Sequence, residues 1–301
     1  MKKFIIKFIA FIIVCVFADY LVGWSLEAMA SKAIGGTQFK TNQINSDLHA
    51  DILILGSSRS NHHYSPKAIE DSLQLSTYVI GQDGNGIVLM YPRYKMVSQR
   101  KMPKLVVYDL TPDFDFAQDD MHRYLKHLRP LYGRDKMIDS IVNMVDATER
   151  FKLLSKTYPH NSMLISYLRG ALMQSEQGFY NGYYPLYNDF VPSGNGLPAT
   201  FSLPISEEKL KMFTNLVDQC RKDNVPIIFT ISPFYHGADS NFVNICREVA
   251  LANNIPLLDF SNDKRFKGCD SLFKDPTHLN DLGAQQFTCT LLPRLHKYIK
   301  K

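Results

Sequence analysis

Cysteine is scarce and unpatterned. Five stand in 301 residues, and no two form a Cys-x-x-Cys pair, which excludes a zinc knuckle. Cys220 and Cys246 fall on the apolar stripes of predicted helices, where a buried free thiol is the default. In an oxidising compartment a disulfide is open to the chain, but the spacing chooses no pair. Blocks of Lys and Arg interleaved with aromatics are also missing. The net charge of +5 is spread along the chain, so nucleic acid is not an expected partner. The glycine-rich run Gly81-Gln82-Asp83-Gly84-Asn85-Gly86 lacks the Lys and Ser/Thr of a phosphate loop. His62, His63, Asp83, His236 and His278 are the one conceivable metal set. They show no ligand spacing, so neither a metal nor another cofactor is expected.

Hydrophobic residues make up 45% of the chain and charged residues 21%, values ordinary for a globular protein. The length suits one α/β domain with an insertion. The sixteen Tyr and nineteen Phe suit sugar stacking, although most aromatics simply fill cores. Met1-Lys2-Lys3 is basic, and Phe4 to Trp24 is mostly apolar. At about 1.5 Å per residue such a stretch crosses a bilayer core of about 30 Å. Lys7 and Asp19 lie off its centre, where charge is easier to accommodate. Basic residues before the span keep the N-terminus cytoplasmic and put the rest outside. The competing reading is a cleaved signal peptide, with Ala28-Met29-Ala30 as a small-x-small site. Either way the body is extracytoplasmic. Residues 1–24 are read as anchor or signal, 25–48 as a juxtamembrane linker broken at Gly35-Gly36, and 49–301 as the body.

The body is organised around Asp51-Ile52-Leu53-Ile54-Leu55-Gly56-Ser57-Ser58-Arg59-Ser60. An apolar, β-branched run that breaks at a glycine reads as a buried strand of a parallel sheet. Ligands of open α/β sheets collect beyond the carboxyl ends of strands. A serine there is either a turn hydroxyl or a nucleophile. Near the other end stands Lys274-Asp275-Pro276-Thr277-His278-Leu279-Asn280-Asp281-Leu282-Gly283. With a spacing of three, Asp275 can accept a hydrogen bond from one ring nitrogen of His278 and leave the other as a base. Pro276 stiffens that turn. Base and orienter form half of a nucleophilic triad, and Ser57 or Ser58 would complete it. Alternatively, Asp275 and His278 only cap the last helix.

On these residues the chain resembles the SGNH (GDSL-like) hydrolases, over roughly residues 50 to 296. Gly56-Ser57-Ser58 matches the first block as a variant of Gly-Asp-Ser, which makes Ser58 the nucleophile. Gly84, within Asp83-Gly84-Asn85-Gly86, matches the glycine of the second block. Asp275-Pro276-Thr277-His278 matches the last. The Gly-Ser-Ser form resembles membrane-anchored members that handle acyl groups on cell-surface polymers. One departure stands out. The third block usually supplies an Asn to the oxyanion hole. Here Leu105-Val106-Val107-Tyr108-Asp109-Leu110-Thr111 has none. Gly84, Asn85, Thr111 and backbone amides are the remaining donors. Arg59 either lies over the pocket, where it would hold a polar or anionic acceptor, or is solvated.

Strands are expected at Asp51–Leu55, Thr77–Ile80, Leu105–Leu110, Pro226–Ile231 and Pro256–Asp259. Helices begin after Ser65, Ser206 and Asn280 or Asp281, each a good N-cap. The final helix carries Leu282, Phe287, Leu291, Leu292 and Leu295. Alternating strands and helices make the sheet parallel. The resulting fold class is α/β, a flavodoxin-like three-layer α/β/α sandwich of about five strands. The strand order 2-1-3-4-5 is implied by the family resemblance. From about 113 to 205 the alternation stops. Helical stripes at Met137–Val145 and Met163–Leu172 precede the aromatic, non-periodic Gly178–Tyr187, read as a substrate cover or as a loop folded on its own aromatics. The resemblance implies serine-dependent chemistry on an acylated carbohydrate or other small ester, by hydrolysis or acyl transfer. A membrane acyl-transfer partner belongs to the second case. The competing class is a non-catalytic module that keeps the fold and binds glycan.

Overall fold

A computed structural model describes residues 1–172, 177–194 and 196–299. In chain order the elements are α1 (Lys2–Ser31), α2 (Gly36–Ser46), β1 (Ile52–Gly56), α3 (Ser58–His63), α4 (Pro66–Leu73), β2 (Thr77–Val79), α5 (Ile87–Ser98), β3 (Leu105–Asp109) and α6 (Pro112–Asp115). Four helices follow, α7 (His122–Leu125), α8 (Lys136–Val145), α9 (Glu149–Lys152) and α10 (Leu164–Leu172). The last elements are α11 (Glu207–Lys222), β4 (Ile227–Ile231), α12 (Ser240–Ala252), β5 (Leu257–Asp259) and α13 (Asp281–Leu295). The chain divides into two compact units. One comprises Met1–Gln43 with Asp120–Glu176, the other Ile44–Asp119 with Gln177–Lys301.

The second unit is built on a five-stranded sheet of order β2-β1-β3-β4-β5, parallel throughout. Strands β1, β3 and β4 are buried at every position, because helices cover both faces. That is why they read as unbroken apolar runs. On one face Ile52, Ile54, Val107 and Ile228 pack with Ile69 and with Phe287, Leu291 and Leu295 of α13. On the other, Tyr108 and Phe229 meet Phe213 of α11, with ring centroids 4.8 Å and 5.9 Å away. The helix starts follow their caps. Ser65, Ser206 and Asn280 accept hydrogen bonds from the N–H groups of Ala68, Lys209 and Gly283. Leu282 is 59% exposed, since at the start of α13 the inward positions go to Gly283 and Ala284.

In the other unit, α1 runs past Trp24 to Ser31, and α2 occupies much of the stretch expected to be a linker. The glycine pair does interrupt the helix, but only as a turn between two helices. The N–H of Ile34 donates to Gly170 O at 2.8 Å and fixes that turn on α10. The C-terminal part of α1 is docked as well. Asp19 accepts from Ser155 Oγ and the Lys156 amide, both at 2.6 Å. Glu27 pairs with Arg134 and Lys156, and Ala30 packs with Met163 and Tyr167. The stripes at 137–145 and 163–172 are helical as expected, as α8 and α10. Among the described residues one helix, α1, is long and apolar enough to be a membrane anchor or a signal sequence.

Candidate active site

Gly56 ends β1 at the carboxyl edge of the sheet with φ +136°. A Cβ there would stand 2.5 Å from Asp109 O on β3. Only glycine lets the chain turn this tightly against its neighbour. The turn delivers Ser57 into the interior and Ser58 to the rim. Ser58 is half-buried, and its Oγ lies 2.8 Å from His278 Nε2. Ser57 is fully buried, and its hydroxyl has no hydrogen-bond partner. That hydroxyl gives the loop no support. The turn is held instead by Ser60 Oγ, which donates to Ser57 O at 2.7 Å.

The base arrives on a narrow loop. Phe273 and Leu279 pair as an antiparallel bridge, and the N–H of Lys274 donates to His278 O at 2.8 Å. At the tip, Asp275 Oδ1 accepts the amides of Thr277 and His278 at 2.8 Å and 2.9 Å. These bonds fix the carboxylate, whose Oδ2 lies 2.9 Å from His278 Nδ1. Beside a carboxylate, Nδ1 carries the proton, so Nε2 is free to accept from the Ser58 hydroxyl. Burial pushes the Asp275 carboxyl up, but its hydrogen bond to His278, the electrostatic attraction of that ring and the two amides outweigh this and hold it below the usual range. It therefore stays an anion beside the imidazole. Asp275 and His278 do not merely cap α13, because Asn280 does that.

The loop after β2 is tied to α3. Asn61 donates to Asp83 Oδ1 at 2.8 Å, and His62 Nε2 lies 3.3 Å from Asp83 Oδ2. Gly84 follows in the left-handed region, at φ +65°. Asn85 is 2% exposed; its amide donates to Asp83 O at 2.8 Å, and its Oδ1 has no partner. Segment 180–186 also bears on the site. His62 Nδ1 donates to Tyr184 O at 2.6 Å, the Tyr184 N–H to Asn61 O at 3.1 Å, and Tyr183 OH to Asp281 Oδ1 at 2.8 Å. The aromatic stretch is thus fastened to α3 and to the start of α13.

Arg59 and Thr111 belong to the scaffold. Arg59 is 1% exposed. It donates to the carbonyls of Ser232 and Leu110, and its guanidinium lies 4.2 Å over the Phe234 ring. It does not lie over the pocket, because position 59 on α3 points toward the ends of β3 and β4. The Thr111 amide is spent on Asp115 Oδ2 at 2.7 Å, and its hydroxyl accepts from Arg59 at 3.4 Å. The conceivable metal set is not gathered. His63 is taken up by Ser232 and the Leu279 amide, and His62 by Asp83 and Tyr184. Among the described residues, ligand atoms converge only at His122, Asp146 and Glu149 in the other unit. There Lys152 and Arg129 already neutralise the carboxylates.

The sheet order, the serine directly after β1 and the Asp-x-x-His loop directly before α13 decide the architecture. The strand order is the one that the resemblance to the SGNH hydrolases implies. No protein-family model matches the sequence, and no curated protein matches it. Solved structures that resemble the chain include an acetyl xylan esterase, at 15% identity and TM-score 0.41, covering 81% of this chain and 99% of that one. A Bacteroides fragilis protein assigned as an acylhydrolase has 11% identity and TM-score 0.44, covering 88% and 98%. A catalytic mutant of an acetylxylan esterase from Geobacillus stearothermophilus has 10% identity and TM-score 0.40, covering 85% and 97%.

Proposed function

We propose that the protein is a serine-dependent acyl-ester hydrolase or acyltransferase acting on O-acyl groups of a cell-envelope or extracellular glycan. The observation that carries the reading is the continuous Ser58–His278–Asp275 hydrogen-bond chain, with the carboxylate fixed by two backbone amides. His278 Nε2 takes the Ser58 proton as Oγ attacks the ester carbonyl. The oxyanion is met by the backbone amides of Ser58 and Gly84, donors whose loss typically costs about a hundredfold or more in rate. His278 then gives its proton to the departing alcohol, leaving an acyl-Ser58 ester. Water bound in the alcohol's place, deprotonated by His278, makes the protein an esterase. A sugar hydroxyl in the same position makes it a transferase, served by a membrane acyl donor. Nothing in this cycle needs a cofactor.

The body works outside the cytoplasm on a retained α1, a reading supported by the basic Met1-Lys2-Lys3 and by the docking of Asp19, Glu27 and Ala30. Reaction with a fluorophosphonate followed by peptide mapping tests the chemistry. A single adduct on Ser58, abolished by Ser58→Ala, is the expected result. An unlabelled chain that still retains acylated glycan is instead a binding module.

A further inference from the structure

Beneath the triad lies a second chain of polar groups that acyl transfer does not use. His63 is fully buried, edge-on to His278 with ring centroids 6.3 Å apart. Its Nε2 lies 3.0 Å from the backbone nitrogen of Leu279, the residue after His278. An amide can only donate, so Nε2 is bare and Nδ1 holds the proton. Nδ1 donates to Ser232 Oγ at 2.9 Å. Ser232, its oxygen occupied by that donor, passes its own proton to Asp109 Oδ2 at 2.6 Å and its amide to Oδ1 at 3.1 Å. Arg59 Nη2 stands 3.7 Å from the same carboxylate. Every proton in this chain has one direction, set at one end by an amide and at the other by a carboxylate.

We infer that His63 is a positioning residue that sets the distance between nucleophile and base. His63 sits on the same short helix as Ser58, and Leu279 follows His278 directly. One imidazole therefore ties the nucleophile's helix to the base's loop. The relay to Asp109 locks the ring by anchoring Nδ1 to the ends of β3 and β4. His63, Ser232, Asp109 and Leu279 are all 0% exposed, so water cannot substitute for a lost bond, and each bond counts for more than at a surface. His62 cannot take this role. Its ring also meets His278 edge-on, at 5.6 Å, but its bonds run to Tyr184 and Asp83 and not to the base's loop. The inference rests on the triad acting as proposed above.

Two substitutions separate the bonds. His63→Asn keeps a donor toward Ser232 but is too short to accept the Leu279 amide. His63→Gln places an acceptor where Nε2 was. With a small chromogenic ester, His63→Asn should lose about a hundredfold in kcat, the scale of a catalytic group misplaced by about an ångström, at unchanged KM. His63→Gln should recover most of that loss. Equal kcat losses in both variants, or an unchanged kcat in His63→Asn, would overturn the assignment. Should His63→Asn not fold, Ser232→Ala serves, and full kcat there overturns the relay. The wild-type chain must also label with fluorophosphonate while Ser58→Ala does not; an unlabelled wild type defeats the esterase reading instead. The relay is then judged without turnover, from the ring ¹⁵N resonances of the full chain. His63 protonated at Nδ1 and bare at Nε2 supports it, and the opposite tautomer overturns it.

Discussion

At the scale of single residues, the site makes different demands on two adjacent serines. Ser58 Oγ is aligned on His278, whereas Ser57 Oγ is buried with nothing to bond. An unsatisfied buried hydroxyl costs stability. Ser57→Ala should therefore keep fluorophosphonate labelling and leave the melting temperature unchanged or raised, while Ser58→Ala abolishes labelling at the same melting temperature. In the proposed mechanism Asp275 fixes the tautomer of His278 without taking its proton, so Asp275→Asn should preserve the fold and lower turnover by about ten-thousandfold, as for the triad aspartate of serine proteases. His63 adds a pH dependence. Burial first, then the nearby charges of His278, Arg59 and His62, push its pKa well below the ordinary histidine value. Below about pH 6.5 the unfolded chain binds a proton that the folded chain refuses. This contribution to stability is present at neutral pH and lost as the pH falls. Denaturant midpoints measured across that range should slope less steeply with pH in His63→Gln than in the wild type.

At the scale of elements, the sheet was legible because its strands are buried on both faces and so need no alternation. The caps at Ser65, Ser206 and Asn280 were legible because capping is local. What escaped was held by contacts distant in sequence. Nothing near Arg59 announces that its guanidinium is wanted by the carbonyls of Leu110 and Ser232. Nothing near His63 announces Ser232 or Leu279. The turn from β1 into α3 lies between these cases, since the glycine was visible but its constraint was not. Gly56 holds φ +136° with Asp109 O where a Cβ would go. Gly56→Ala must distort β1 or β3 at the point where Ser57 and Ser58 leave the sheet. Strained backbone of this kind costs about 1–3 kcal/mol, and the contact adds to it. The denaturation midpoint should fall accordingly, and the labelling rate of the folded fraction should fall with it, because the same turn aims Ser58.

At the scale of the whole molecule, the question is whether α1 survives maturation. A signal peptide leaves nothing behind, so its residues have no reason to satisfy the mature fold. The C-terminal half of α1 does satisfy it. Asp19 takes up the Ser155 hydroxyl and the amides of Lys156 and Thr157. Gly23 leaves no room for a Cβ, which would meet Lys156 at 2.6 Å, and Glu27 pairs with Arg134 and Lys156. Cleavage after Ala30 would strip all of these and leave the Ser155 hydroxyl and the Lys156 and Thr157 amides without their acceptor. The docked half also limits what the bilayer can hold. On the proposed retention, with Asp19 bound to protein, Lys2–Ala18 is left to span, about 25 Å at 1.5 Å per residue, near the lower limit for crossing the hydrocarbon core. Its apolar side chains, among them Phe4, Ile6, Phe8 and Phe11, are exposed along that length, as a lipid-facing helix requires. The chain recovered from cells should therefore carry its N-terminus intact by mass and stay with membranes through alkaline carbonate. Added protease should reach the body in spheroplasts. A mature chain beginning at Ser31, or a body protected from that protease, would overturn this reading.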